Sequence, residues 1–195
     1  MNTLNLRAYV RAESGIAAIE FAFIMPFILL LFFGLIDITD AVSTNRRITS
    51  VANSIGDLAA QNRTKIIKTD IDDYFKVASL IMKPKSDSNV RVRLYGFKKT
   101  GATAVQKWVI DNGKGGSCSK SPNLSNMPNL MTMGNDVIVA QACVDFTPIV
   151  TSFLGSTIMG SGSMKMEQII SMRPRASLLL DCYMTAGSAT PNCPN

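Results

Sequence analysis

One ionisable residue, Glu20, lies within an apolar run that is long enough to cross a membrane. The run extends from Gly15 to Ile36 and, with Asp37 directly after it, reads GIAAIEFAFIMPFILLLFFGLID. A charge inside a membrane helix is costly unless the group has a partner, and such groups are usually retained because they function. Glu20 follows Gly15 by five residues. The combination suggests a membrane-anchored protein that is cut after Gly15 and packs beside other helices of its own kind.

No catalytic group is predicted from the remaining residue types. The chain has no histidine, which removes the commonest general base and the commonest metal ligand. The motifs GxSxG, HExxH and GxxxxGK[ST] do not occur in it. We therefore expect no enzymatic activity, no metal site, no cofactor and no small-molecule substrate.

Four cysteines indicate an oxidising compartment. They are Cys118, Cys143, Cys182 and Cys193, all beyond the apolar run and none in a CxxC motif. An even count of this kind predicts two disulfides rather than a zinc site. Three connectivities are open, and the shortest loop would join Cys182 to Cys193.

The basic surplus does not indicate a nucleic-acid partner. The net charge is +6 and the sequence pI is about 9.3. The basic residues are scattered without a block of like charges, and no aromatic residues interleave with them to stack on bases. A mildly basic solvated surface is the expected consequence.

The apolar run predicts a membrane anchor rather than a removed signal. Residues 16–36 would form a helix about 31 Å long, which is the thickness of the hydrocarbon core. Arg7 and Arg11 favour a cytoplasmic N-terminus, and the cysteines place the C-terminal part outside. The expected parts are a leader over 1–15, a transmembrane helix over 16–38 and an extracytoplasmic domain over 39–195. Pro26 predicts a kink, which is either incidental or used in helix bundling.

The outer domain is predicted to be α+β, with a mostly antiparallel sheet packed on a stalk helix. Apolar residues at three- and four-residue spacing continue the helix over 42–62, from Val42 to Ala59, unless a break near Thr39 separates the two. A second helix is expected from Thr69, with Asp72 completing a capping box. Alternating or apolar segments predict strands over 90–95, 104–110 and 136–146, with a long loop over 112–133 before the third. The segments 165–172 and 176–181 predict one long strand or two, interrupted at Pro174.

The spacing from Gly15 to Glu20-Phe21 resembles the processing site of type IV prepilins. That resemblance implies cleavage after Gly15 by a membrane-embedded prepilin peptidase, with Ile16 as the new N-terminus. It also implies that the Glu20 carboxylate pairs with the terminal amine of a neighbouring subunit.

A narrower resemblance covers about residues 15–40. The pattern looks like the N-terminus of TadE-like proteins, pseudopilins of the tight-adherence pilus system, and its matching residues are Ala17, Ala18, Glu20, Phe21, Ala22, Pro26 and Gly34. It implies a minor pilin or pseudopilin in the bacterial inner membrane. The implied partners are membrane lipid, other pilins, the Tad inner-membrane machinery and the prepilin peptidase. The competing interpretation is an uncleaved single-pass membrane protein whose outer domain binds a partner or a surface.

Overall fold

The computed structural model describes residues 14–63, 65–83, 90–100, 103–118, 121–122, 136–150, 162–175, 181–184 and 193. Two helices and six strands lie within these ranges. In chain order they are α1 (Ser14–Gln61), β1 (Ile66–Ile67), α2 (Lys68–Met82), β2 (Val90–Thr100), β3 (Thr103–Asp111), β4 (Val137–Phe146), β5 (Met164–Met172) and β6 (Cys182–Tyr183). The α+β class predicted from the sequence is therefore confirmed.

Helix α1 is continuous over 48 residues, so the break considered near Thr39 does not occur. Thr39 instead donates its hydroxyl to the carbonyl of Leu35 at 2.9 Å, which satisfies the side chain within the helix. Pro26 also lies inside the helix. Its ring nitrogen cannot donate to the carbonyl of Ala22, yet the helix continues on both sides of it.

The strands form one four-stranded antiparallel sheet in the order β3-β2-β4-β5 and a short parallel pair of β1 with β6. The strand predicted over 176–181 lies almost entirely outside the described residues, and its last residue, Asp181, immediately precedes β6. Much of the loop predicted over 112–133 also lies outside them.

The chain divides into two compact units. The first contains Met1–Asp40 together with Pro148–Gly162, and the second contains Ala41–Thr147 together with Ser163–Asn195. The first unit holds the apolar half of α1. The second holds the other half of α1, the sheet and α2.

Within the second unit, a stripe of α1 forms the core with the sheet. Its fully buried apolar members are Ile48, Val51, Ala52, Ile55 and Ala59. Gly56 permits the approach, because a Cβ added there would lie 3.2 Å from Met172 Sδ and 3.3 Å from the Ala140 Cβ. Val42 was predicted to belong to this stripe, but it is 49% exposed.

Helix α2 buries the apolar positions that its periodicity predicts, which are Ile71, Phe75, Ala78 and Met82. The predicted capping box is wrong. The helix begins directly after the β1 pairing, so Ile67 occupies the cap position without a side-chain hydrogen bond, and Asp72 accepts from Lys68 at 2.8 Å instead. At the other end, Arg47 of α1 donates to the carbonyls of Ile81 and Lys83, which satisfies helix-terminal acceptors.

Both faces of the sheet are buried around its centre, although the alternation in β2 had predicted a half-buried strand. Tyr95 and Phe97 lie on the face opposite α1 and pack with Val137 and Val139. Gln141 is fully buried on the same face. Polar groups there need partners, and Gln141 accepts from the Tyr95 hydroxyl at 2.9 Å and donates to Glu167 at 2.6 Å.

Candidate membrane and assembly site

The first half of α1 carries the predicted functional residues on a surface that the rest of the chain leaves uncovered. Every residue from Gly15 to Phe32 is exposed. The exposed fractions reach 73% for Phe23, 75% for Phe27 and 71% for Leu31. Such an apolar surface is far larger than a water-soluble monomer exposes, so it requires lipid or other helices.

This half is apolar on all sides of the helix. Alanine, leucine, isoleucine, phenylalanine and methionine supply most of it, so no polar face is available to water. A helix that is apolar all round belongs in a hydrophobic interior or in a membrane. Among the described residues, α1 is long and apolar enough by length and composition to cross a membrane.

Glu20 is the ionisable residue of the span between Gly15 and Ile36, and it lies on the exposed surface. Ile16 precedes it by four residues, about 6 Å along the axis, and shares its face of the helix. Phe21, beside it in sequence, is 59% exposed. The carboxylate can therefore accept hydrogen bonds or an ion pair from a group outside the chain, in surroundings where such a contact is strong.

The predicted processing position lies at the start of α1. The helix begins at Ser14, so Gly15 and Ile16 are within its first turn, and a Cβ added to Gly15 would meet no atom within 4 Å. Gly34, near the other end of the span, is equally open. The glycines of this half are therefore not required by packing within the chain.

Asp37 is the residue that sequence reasoning missed. It is only 8% exposed, and its carboxylate accepts from the backbone N–H of Ile149 at 2.7 Å and of Val150 at 2.8 Å. Both backbone N–H groups therefore have an acceptor on the same carboxylate. These partners lie more than a hundred residues away in the sequence, so no local sequence pattern predicts the contact.

The four cysteines form two disulfides, Cys118–Cys143 and Cys182–Cys193. The second is the shortest-loop pairing among the three connectivities that the sequence left open. Cys143 lies on β4 and is fully buried, and Cys182 lies on β6. The bonds therefore attach the residues around Cys118 and Cys193, which lie outside the strands, to strands of the second unit.

A cluster on the sheet contains the best-paired charges of the described residues. Asp111 accepts from Arg91 at 2.9 Å, from Arg93 at 2.8 Å and from the Gly113 backbone at 2.9 Å. Burial acts to raise the pKa of Asp111, but these donors outweigh it and hold the pKa below its usual value. Burial raises the pKa of the Tyr95 phenol, so the hydroxyl stays protonated and donates to Gln141.

The geometry of this cluster is structural. A carboxylate held ionised by two guanidinium groups is a poor general acid or base at neutral pH. Among the described residues, no group of three or more histidine, cysteine, aspartate or glutamate side chains could hold a metal ion. The exposed half of α1 therefore remains the candidate functional site.

Comparison with known proteins supports that choice. Residues 15–55 match a family model described as TadE-like protein. The matched segment covers the exposed half of α1 and most of the half that packs on the sheet. No curated protein and no solved structure matches the chain.

Proposed function

We propose that the chain is a minor pilin or pseudopilin of a tight-adherence pilus, because residues 15–55 match the model of the TadE-like family. The family consists of structural pilus-assembly proteins, which agrees with an exposed apolar helix that needs lipid or other helices around it. In this proposal residues 16–38 anchor the chain in the bacterial inner membrane. Residues 1–15 form a cytoplasmic leader, and residues 39–195 lie outside the cytoplasm.

The observation that carries the proposal is the exposed carboxylate of Glu20 within an uncovered apolar helix. An isolated charge there is costly, and a paired charge is far less so. Cleavage after Gly15 would create a terminal amine at Ile16, which is a partner of the required sign. The pairing of Glu20 with the amine of a neighbouring subunit would join adjacent helices and set their relative height.

The other implied contacts follow from the same surface. Phe21 and the exposed phenylalanines beyond it would pack against lipid or neighbouring pilin helices. Pro26 would provide a bend for that packing. The disulfides support an extracytoplasmic second unit, since such bonds persist in oxidising compartments. Arg7 and Arg11 would then remain on the cytoplasmic side.

The first test is the N-terminus of the mature chain. The full chain is expressed in membranes with and without its cognate prepilin peptidase, and its intact mass is measured. We expect Ile16 as the first residue only when the peptidase is present. A leader that stays intact in both samples would favour an uncleaved single-pass membrane protein that binds through its outer domain.

The second test removes the charge of Glu20. We expect Glu20→Ala and Glu20→Gln to reduce incorporation into the pilus machinery at least about tenfold. Both variants lose the proposed ion pair, and such a contact is strong inside a membrane. Phe27→Ala is the matched control, since it alters an exposed side chain of the same span without changing its charge. Trp108 fluorescence should be unchanged in all three variants, because that side chain is 3% exposed and lies in the second unit.

Normal incorporation of Glu20→Gln would remove the proposed role of the carboxylate. Equal losses in Glu20→Gln and Phe27→Ala would instead assign the effect to general packing of the span.

A further inference from the structure

The connection between β4 and β5 is much longer than a hairpin between two neighbouring strands requires. The two strands are antiparallel neighbours, and Phe146 at the end of β4 pairs with Met164 at the start of β5. A hairpin between such ends usually needs two to five residues. Here 17 residues, 147–163, connect the strands. A connection of that length usually has a function of its own.

The composition of the connection is also unusual. No charged residue occurs from Phe146 to Met164, and the segment includes isoleucine, valine, leucine, phenylalanine and methionine. Connections that face water are normally polar, with charged residues among them. An uncharged, partly apolar connection is instead typical of chain that contacts an apolar phase.

The connection belongs to the unit of the membrane helix. Pro148–Gly162 groups with Met1–Asp40, and hydrogen bonds from Ile149 and Val150 to Asp37 connect the two segments. Asp37 is the first ionisable residue after the apolar span. It lies about 31 Å along the helix from Ile16, which is the far boundary of a hydrocarbon core entered at Ile16.

The side chains around this contact are apolar and uncovered. Ile149 is 50% exposed, Ile38 is 64% exposed and Leu35 is 61% exposed. These exposed groups continue the apolar surface of the span beyond its last turn. The carboxylate beneath them is almost fully buried, so the local polar groups are satisfied while the apolar ones face outward.

We propose that the start of the 147–163 connection, held by Asp37, is a second membrane contact that inserts Ile149 into the headgroup boundary of the phospholipid bilayer. The inference rests on the membrane anchoring proposed above. Apolar segments at this depth bind through the area they bury, and a hydrogen-bonded backbone lowers the cost of moving the chain out of water. Asp37 accepts from the backbone N–H groups of Ile149 and Val150 and is therefore a positioning residue for the membrane contact.

The test uses tryptophan as a depth probe in the full chain. Ile149→Trp, Phe27→Trp and Leu80→Trp are reconstituted separately in vesicles of phosphatidylethanolamine and phosphatidylglycerol. Quenching is measured with lipids brominated near the headgroup and with lipids brominated deep in the acyl chain. The wild-type signal of buried Trp108 is the common background. Leu80 is the matched control, since it is an exposed apolar residue (60%) of α2 in the second unit.

We expect the tryptophan at position 149 to be quenched by the shallow bromines at least about twofold more than the one at position 80. The tryptophan at position 27 should respond to the deep bromines. Adding Asp37→Ala should abolish the shallow quenching at position 149 and leave the deep quenching at position 27 unchanged.

The two proposals fail in different ways. Loss of quenching at position 27 would overturn the membrane anchoring itself. Deep quenching at position 27 with none at position 149 would overturn the membrane contact alone. Quenching at position 149 that appears only when the protein is diluted in lipid would assign the surface to a second copy of the chain and would also overturn the membrane contact. Shallow quenching at position 149 that stays unchanged after Asp37→Ala would remove the positioning role of the Asp37 carboxylate.

Discussion

The two halves of α1 form one continuous helix, but most apolar side chains of the first half are exposed whereas most of those of the second half are buried. Residues 15–36 are apolar on all sides and the chain covers almost none of them. Residues 41–61 carry one apolar stripe, and the sheet buries it completely at Ile48, Val51 and Ile55. The first half therefore needs an apolar solvent around it, whereas the second half needs one partner surface.

The comparison teaches that helix formation and helix placement are separate questions. Both halves are helical, and even Pro26 does not interrupt the helix. What differs is the distribution of polar residues around the axis. In the second half they alternate with the stripe and face water, whereas in the first half the exposed Glu20 is the ionisable exception.

The largest expected difference comes from truncating one apolar side chain in each half. Ile55→Ala should lower the free energy of unfolding by about 2–5 kcal/mol, since Ile55 is fully buried and the change leaves a cavity. Leu31→Ala should change it by less than about 0.5 kcal/mol, because Leu31 is 71% exposed. The measurement is urea unfolding of the full chain in detergent, followed by Trp108 fluorescence. Equal losses in the two variants would contradict the contrast between the halves.

A pair of glycines tests the same contrast by adding volume. Gly56→Leu should cost about 1–3 kcal/mol, because its side chain would overpack against Met172 and Ala140. Gly34→Leu is the control, since a Cβ there meets no atom within 4 Å. We expect it to leave the unfolding transition unchanged. A neutral Gly56→Leu would mean that the Met172 side chain moves aside and that the approach of α1 to the sheet is loose.

The smallest expected effect concerns charge. Asp111→Asn should lower the stability of the sheet by about 1–2 kcal/mol at neutral pH, because two arginines lose an ionised acceptor. The pKa of Asp111 is lowered in the folded chain, so its contribution is present above the unfolded pKa and is lost as the pH falls through the folded one.

The gap between wild type and Asp111→Asn should therefore narrow below about pH 4 in urea unfolding measured across pH. Quenching of Phe27→Trp by the deep bromines, which reports insertion of residues 15–36 into the vesicles, should not change in the Asp111→Asn background. A stability difference between wild type and Asp111→Asn that grows as the pH falls would contradict the lowered pKa of Asp111.

Much of the fold could be predicted because it depends on local patterns. The continuation of α1 and the helix that buries Ile71 and Phe75 follow from periodicity, and the strand over 136–146 follows from its apolar composition. The capping box at Thr69 could not be predicted correctly, since the pairing of Ile66 with Cys182 decides where α2 begins. The burial of Tyr95 escaped prediction because Tyr95 packs with Val137 and Val139 of another strand, and that pairing is not a local pattern.

The candidate site divides in the same way. Gly15, Glu20 and Pro26 are recognised from spacing along one helix, where each position is set by its neighbours. The roles proposed for Gly15 and Glu20 remain predictions that the N-terminal mass and the Glu20 variants test. Asp37 could not be recognised, because its two partners are separated from it by 112 and 113 residues.

The amino-acid sequence by itself determined that this chain has an apolar helix of membrane length with one internal carboxylate, followed by an α+β unit. Hydrophobicity and periodicity are properties of neighbouring residues, so they can be read without a structure. Only the tertiary structure decided which cysteines pair, that both faces of the sheet are buried, and that Asp37 holds the start of a distant segment. Those features depend on contacts between residues far apart in sequence, and the geometry of such contacts arises only when the chain folds.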